Sequence, residues 1–292
     1  MIWASLTSER GIQNTMSDSA TIAVKVDGGW RVDGHKIFAT NSAVATHFSF
    51  SARYDDPDRG PRLMIFRTPK DAPGFTFVEN WDMLGMRATQ SNDLKIEGVF
   101  VPDDALIHSL PVGHLDARVL KTQFVWALAT FGAVYLGIAA GALDWTREVV
   151  RKRKRHENPH VQASIAEAEM LLETARSVLD LHCASADSGL IYEQLTVQEG
   201  MARCAFAKVV ACSNAVAIMH HLIDAVGGAF YGRSQPFERW FRDVQAGVIM
   251  PATKHQALAL VGATSLGVEF APAIDFDETG VDSRPKTPAA AS

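Results

Sequence analysis

The side chains that could carry chemistry in this sequence are few and scattered. His220 and His221 are adjacent, and Asp243 and His255 follow them. Each could accept a proton. His220 and His221 each read more simply as a packed or surface side chain, and Asp243, next to Arg242, as half of a structural ion pair. No pair has metal-ligand spacing with a third ligand, so no metal is expected. The three cysteines, Cys183, Cys204 and Cys212, lack CxxC spacing, which argues against zinc or a redox pair. They read as small core residues in a reducing, cytoplasmic compartment. Arg151-Lys152-Arg153-Lys154-Arg155 is a strong basic run, which at a helix end would complement the helix dipole.

Those side chains need a scaffold. Apolar residues make up 47% and charged residues 21% of 292 positions, ordinary usage for one or two globular domains. A net charge of −5 gives no argument for nucleic acid as a partner. The N-terminus lacks the basic and apolar stretches of a signal peptide. Phe124–Leu143 is uncharged over about 20 residues, the length of a membrane span. It is rich in Ala and Gly, however, and is read as the buried helix of a bundle, so no span is expected.

The first part of the chain reads as β. Thr21–Val26 is a strand, Asp27-Gly28-Gly29 a hairpin turn, Trp30–Val32 its return, Asp33-Gly34 a second turn and His35–Thr40 the next strand. Phe48–Arg53, Arg62–Arg67, Phe75–Val78 and Leu94–Val101 follow, with Asp55–Pro61 as a polar turn, and Val101-Pro102-Asp103-Asp104 closes the β region. The period then becomes helical. Helices are expected from about Arg118 to Lys154, His160 to Ser185, Thr196 to Val226, Pro236 to Met250 and Lys254 to Leu266. Thr196 and Glu199 form a capping box, and Gly227-Gly228 ends the third helix. The expected fold class is therefore α+β in two domains: a β-barrel or sandwich over 1–112 and a helical bundle over 113–270. A disordered tail is expected over 271–292.

Four motifs sharpen this. Gly29-Trp30-Arg31-Val32-Asp33-Gly34-His35-Lys36-Ile37-Phe38-Ala39-Thr40-Asn41 resembles the "GW.l.G.K.(W/F).TN" hairpin of acyl-CoA dehydrogenases. Trp81-Asp82-Met83-Leu84-Gly85-Met86-Arg87-Ala88-Thr89-Gln90-Ser91 resembles their "W..lGmR.T.s" turn, and Val99-Phe100-Val101-Pro102 their "V.VP". Gly227-Gly228 and Arg242-Asp243 match their "GG.G…RD" spacing. The resemblance covers nearly the whole chain except the tail. It implies an N-terminal helical domain, a middle β-barrel and a C-terminal bundle, with FAD between the last two and subunits arranged as dimers or tetramers. Ala4-Ser5-Leu6-Thr7-Ser8-Glu9 looks like the opening of the family's middle domain, so the first helical domain is expected to be lacking.

The resemblance also assigns roles. Phe38 would pack beside the flavin ring, with Ala39 between it and Thr40, and Thr40 would reach the N5/O4 edge. Ser8 and Ser17 match contacts in the first loop. Arg151 and Gln162 match the residues that meet the FAD diphosphate and adenosine, where an Arg gives charge-assisted contacts. Gly227 and Gly228 would let the backbone approach a neighbour's FAD. Asp224 and Phe230 depart from the family's Gln and Gly in this region.

Dehydrogenation removes an α-proton, which needs a carboxylate within reach. The family's usual Glu position is Pro251 here. The alternative position on the long buried helix is Ala127, followed by Leu128 where the family has Arg. His255, just past Pro251, is a weak candidate. Three readings follow. The chain is an FAD-dependent oxidoreductase acting on the CH–CH group of acyl-CoA thioesters in fatty acid metabolism, with a flavoprotein as electron acceptor. Or it is a flavin-dependent monooxygenase of the same fold, using oxygen. Or it is a non-catalytic or truncated subunit of a hetero-oligomer.

Overall fold

The computed structural model describes residues 1–12, 16–116, 120–269 and 273–276. The chain divides into two contact units. One comprises Met1–Met83 and Arg87–Asp116 with Ala271–Asp282, the other Leu84–Met86 and Ala117–Phe270 with Ser283–Ser292.

The first unit is built on an eight-stranded sheet. Its strands are β1 (Trp3–Leu6), β2 (Ile22–Val26), β3 (Gly29–Lys36), β4 (His47–Asp56), β5 (Gly60–Pro69), β6 (Phe75–Val78), β7 (Asp93–Pro102) and β8 (Leu106–Pro111). They run in the order β6-β7-β3-β2-β4-β5-β8, with β1 parallel beside β4. Apolar side chains alternate inward along β3 and β7, as a half-buried strand requires. Phe48 and Phe50 of β4 meet Phe75 of β6 edge-on, and Trp30 of β3 meets Phe66 of β5. None of these strand pairs is adjacent in the sheet order. The sheet therefore curls so that one face encloses a single core, as a barrel or sandwich does.

Two sequence expectations change here. Asp33-Gly34 is not a turn: β3 runs unbroken from Gly29 to Lys36, with a register shift between Val32 and Gly34. A β-bulge uses the same residue types as a turn, and Asp33 Oδ1 accepts the Gly98 amide across it. Nor does the β region close at Pro102. β8 follows, then β9 (His114–Asp116), which pairs with β10 (Ala273–Phe276). The burial pattern of β8 does not alternate, which explains why no strand was legible there. Ala273–Phe276 is thus an extended strand inside the tail expected to be disordered, and the rest of 270–292 lies outside the described residues. So does Arg118, the expected start of the first helix.

The second unit is helical. Leu120–Leu128 is wound as a π-helix and leads into α1 (Ala129–Lys152). Then come α2 (Pro159–Asp187), α3 (Val197–Val226), α4 (Pro236–Val244), α5 (Ala246–Ile249) and α6 (Lys254–Ser265). Asn158 caps α2, and Thr196 and Glu199 form the capping box of α3. The helix expected over Pro236–Met250 is divided into α4 and α5. Small residues of α1, α2 and α3 (Ala139, Ala142, Ala168, Ala175, Ala211, Cys212, Ala215) are all buried together with Tyr135, Leu172, Ile218, Leu222 and Phe237. They let the helix axes approach closely. By length and composition Gln123–Lys152 and Val197–Tyr231 could each cross a membrane, but their buried faces form this shared core.

Candidate functional site

In the β unit the candidate flavin residues lie on the loop after β3. Phe38 and Asn41 have φ of 55° and 62°. A left-handed conformation costs a bulky residue on the order of 1–2 kcal/mol, and such strain persists only where neighbours enforce it. The neighbours are visible. Ile37 N donates to Ser8 O, Ala39 N to Asn92 O, and Ser42 N to Ala39 O. Asn92 Oδ1 accepts the amides of Asn80 and Trp81. Ala39 is fully buried and anchors the loop, whereas Phe38 is 51% exposed, its ring edge-on to Trp81 at 6.0 Å. The exposed Thr40 sits in a hydroxyl row: its Oγ1 is 2.8 Å from Ser91 Oγ, which is 2.7 Å from Thr89 Oγ1. Ser8 is half-buried, and its carbonyl serves Ile37. Ser17 is buried, and its carbonyl accepts from Gly113 N.

Lys36, just before this loop, is fully buried beside Glu9 at 2.7 Å. Its ammonium also donates to Ser51 O, while Glu9 accepts from Ser19, Ala20 and Thr21. Burial brings the Lys36 ammonium down to about 8, against the pull of Glu9. Burial pushes Glu9 up, but the Lys36 charge and the donated hydrogen bonds outweigh it and hold the carboxyl below its ordinary value. This pair links β1's extension to β3 and so fixes where the loop begins.

In the helical unit the residues expected at the diphosphate gather at one end of the bundle. Val150 of α1, Val161 of α2 and Ala225 of α3 share a small core. Next to them in sequence are Arg151 and Gln162, both exposed, and Gly227-Gly228. Arg155 Nη1 donates to Val226 O at 3.3 Å. Gly227 has φ 67° and ψ −158°, a conformation essentially restricted to glycine. Gln162 Nε2 donates to His156 O, and Asp224 is exposed nearby. The result is a basic helix end with bare backbone beside it.

The base positions lie in the same unit. Pro251 is exposed, between two residues whose carbonyls are held from below. Lys208 Nζ donates to Met250 O and Ala252 O, each at 2.8 Å. Lys208 is 1% exposed, and burial lowers its pKa. Sequence reasoning missed it, although a signal was present: Lys208 lies between Cys204 and Cys212 on the apolar stripe of α3. Ala127 lies in the π-helical turn before α1, and Leu128 is buried. His255 is exposed in the first turn of α6, and His220 meets Phe241 edge-on. His221 is half-buried.

Asp243 is not the ion-pair partner that its place beside Arg242 suggested. Its Oδ1 accepts the Met86 amide at 2.6 Å. Arg242 pairs instead with Glu238 and donates to Leu84 O at 2.7 Å. A Cβ on Gly85 would lie 2.3 Å from Arg242 O, so only glycine fits between these motifs. The "GMR" and "RD" motifs are therefore two halves of one lock. Among the described residues, no three His, Cys, Asp or Glu side chains cluster as metal ligands.

Comparison with known proteins places this geometry. Residues 4–99 match the acyl-CoA dehydrogenase middle domain, and residues 129–255 the acyl-CoA dehydrogenase C-terminal domain. L-evernosamine nitrososynthase of a Micromonospora species is 29% identical over 83% of this chain and 58% of its own length. Cyclohexane-1-carbonyl-CoA dehydrogenase of Geobacter metallireducens is 29% identical over 83% of this chain and 62% of its own. The chain thus spans about three-fifths of these curated relatives. Among solved structures, KijD3 in complex with FMN and dTDP-3-amino-2,3,6-trideoxy-4-keto-3-methyl-D-glucose superposes with a TM-score of 0.79 at 28% identity. That match covers 92% of this chain and 66% of KijD3.

Proposed function

This chain belongs to the acyl-CoA dehydrogenase family, and on that premise we propose that it is a flavin-dependent monooxygenase that oxidises a nitrogen on a small molecule. The observation that carries this reading is Pro251. The family's base position holds a residue that cannot take a proton, and the alternative, Ala127, is equally inert. Asp243 accepts the Met86 amide in the lock between the two motifs, which gives it a structural role. Oxygen insertion needs no α-proton abstraction, so it tolerates these residues where dehydrogenation does not. Relatives named as nitrososynthases, and the similar structure of KijD3 solved with FMN and an amino sugar nucleotide, support the same direction.

The residues fit a flavin on two counts, each within one unit. Phe38 offers a half-exposed aromatic edge on a strained, braced loop, as an apolar ring system requires. The basic end of α1 beside Gly227-Gly228 offers charge and open backbone to phosphate groups. A bound, reduced flavin supplies the two electrons that let dioxygen give one atom to the substrate and the other to water. This chain's residues would hold the ring edge in the β unit and the phosphates in the helical unit. Its three free cysteines suit a reducing, cytoplasmic setting.

The test is isotopic. Flavin-loaded protein, reduced enzymatically and given oxygen-18 gas with amino sugars and simpler amines, is expected to yield labelled N-oxygenated product. Hydrogen peroxide alone, across all amines, would sink the reading. A desaturated acyl-CoA formed with an electron acceptor would favour dehydrogenation instead.

A further inference from the structure

A hydroxyl has one proton and two lone pairs, so Ser91 can donate in only one of its two links. Ser91 is 3% exposed and lies between Thr40 at 2.8 Å and Thr89 at 2.7 Å. If Ser91 donates to Thr40, the Thr40 proton can point outward, its one competing acceptor among the described residues being Phe38 O at a long 3.5 Å. If Ser91 accepts from Thr40, Thr40 presents only lone pairs outward. The two arrangements differ by rotation about O–H bonds and move no heavy atom. The heavy atoms are held, since Asn92 anchors Ala39 through its carbonyl and Asn80 and Trp81 through its side chain.

We propose that Ser91 is a positioning residue that lets Thr40 switch between donor and acceptor towards the cofactor. Such a switch suits a ring nitrogen that is bare when oxidised and protonated when reduced. A backbone amide could serve only the first state and a carbonyl only the second. The inference rests on the flavin reading given above. Thr40 is the exposed end of the row, beside the exposed ring of Phe38, and Ser91 and Thr89 are its supply of reversible polarity.

The experiment uses the full chain titrated with FMN and with FAD. The midpoint potential and visible spectrum of the bound flavin are recorded for wild type, Ser91→Ala, Ser91→Thr, Thr89→Val, Thr40→Ala and the double variant S91A/T40A. Thermal melting checks folding. Ser91→Ala is expected to change the preference for reduced over oxidised flavin about three- to tenfold, the scale of one neutral hydrogen bond. For a two-electron couple this is about 15–30 mV. Ser91→Thr keeps the hydroxyl and stays close to wild type. Thr89→Val shifts in the same direction as Ser91→Ala and reads the row even if Ser91→Ala does not fold. Adding Ser91→Ala to Thr40→Ala produces no further change. Unchanged potentials in both Ser91→Ala and Thr89→Val, with flavin still bound, overturn the inference and leave the flavin reading standing, and so do additive effects of Ser91→Ala and Thr40→Ala. A wild-type chain that binds neither flavin overturns both.

Discussion

Lys36 and Glu9 are both almost completely removed from solvent, 2.7 Å apart. Desolvating one charge without its partner is costly, so Glu9→Gln is expected to destabilise the β unit by about 3–5 kcal/mol, read as a lower urea midpoint at neutral pH. The pH dependence follows from the directions of the two shifts. Glu9 is held below its ordinary value of 4.5. Its contribution is therefore complete above that value and is lost as pH falls through the folded one. Lys36 is lowered from 10.5 to about 8. Between those values the unfolded chain holds a proton that the folded chain releases, so this group's contribution rises with pH there. Denaturation midpoints across pH check both signs. Arg151 belongs to the same scale. Its exposed guanidinium at the end of α1 is expected to contact flavin phosphates, so Arg151→Ala should weaken flavin binding by about 1.5–3 kcal/mol. Fluorescence titration would measure it, and equal affinity would leave Arg151 as a solvated helix end.

Among the elements, the helix boundaries were the most legible in sequence. Thr196 and Glu199 announce the start of α3, and the capping box forms with both reciprocal bonds. Thr196→Ala should cost about 1 kcal/mol, seen as a lower thermal midpoint. The locked motifs make a second test: Asp243→Ala removes the acceptor of the Met86 amide and should cost about 1–3 kcal/mol. Other elements were hidden for identifiable reasons. β8 has no alternation to detect, and the Asp33-Gly34 bulge carries turn residues inside a strand. The aromatic segment around Phe38 has strand composition, yet its positive φ depends on hydrogen bonds donated to the carbonyls of residues 8 and 92. Those partners are distant in sequence. Lys208 was hidden because its acceptors, Met250 and Ala252, come from another segment, although its place on an apolar stripe was a signal.

For the whole molecule, family membership comes from blocks spread over both contact units, and activity from single positions within them. The likeness includes both nitrososynthases and acyl-CoA dehydrogenases at about equal identity. The proposed reading rests on Pro251 and Ala127, because dehydrogenation needs a carboxylate at one of these matched positions and oxygen insertion does not. Pro251→Glu is accordingly expected to give no dehydrogenase activity with acyl-CoA thioesters, and a gain of that activity would favour the dehydrogenase reading. The most direct measurement is anaerobic. The chain loaded with oxidised flavin is mixed with acyl-CoA thioesters of several chain lengths, and the flavin absorbance is followed. The absorbance is expected to persist with every thioester. Rapid bleaching by any of them, with formation of the enoyl-CoA, would contradict the assignment.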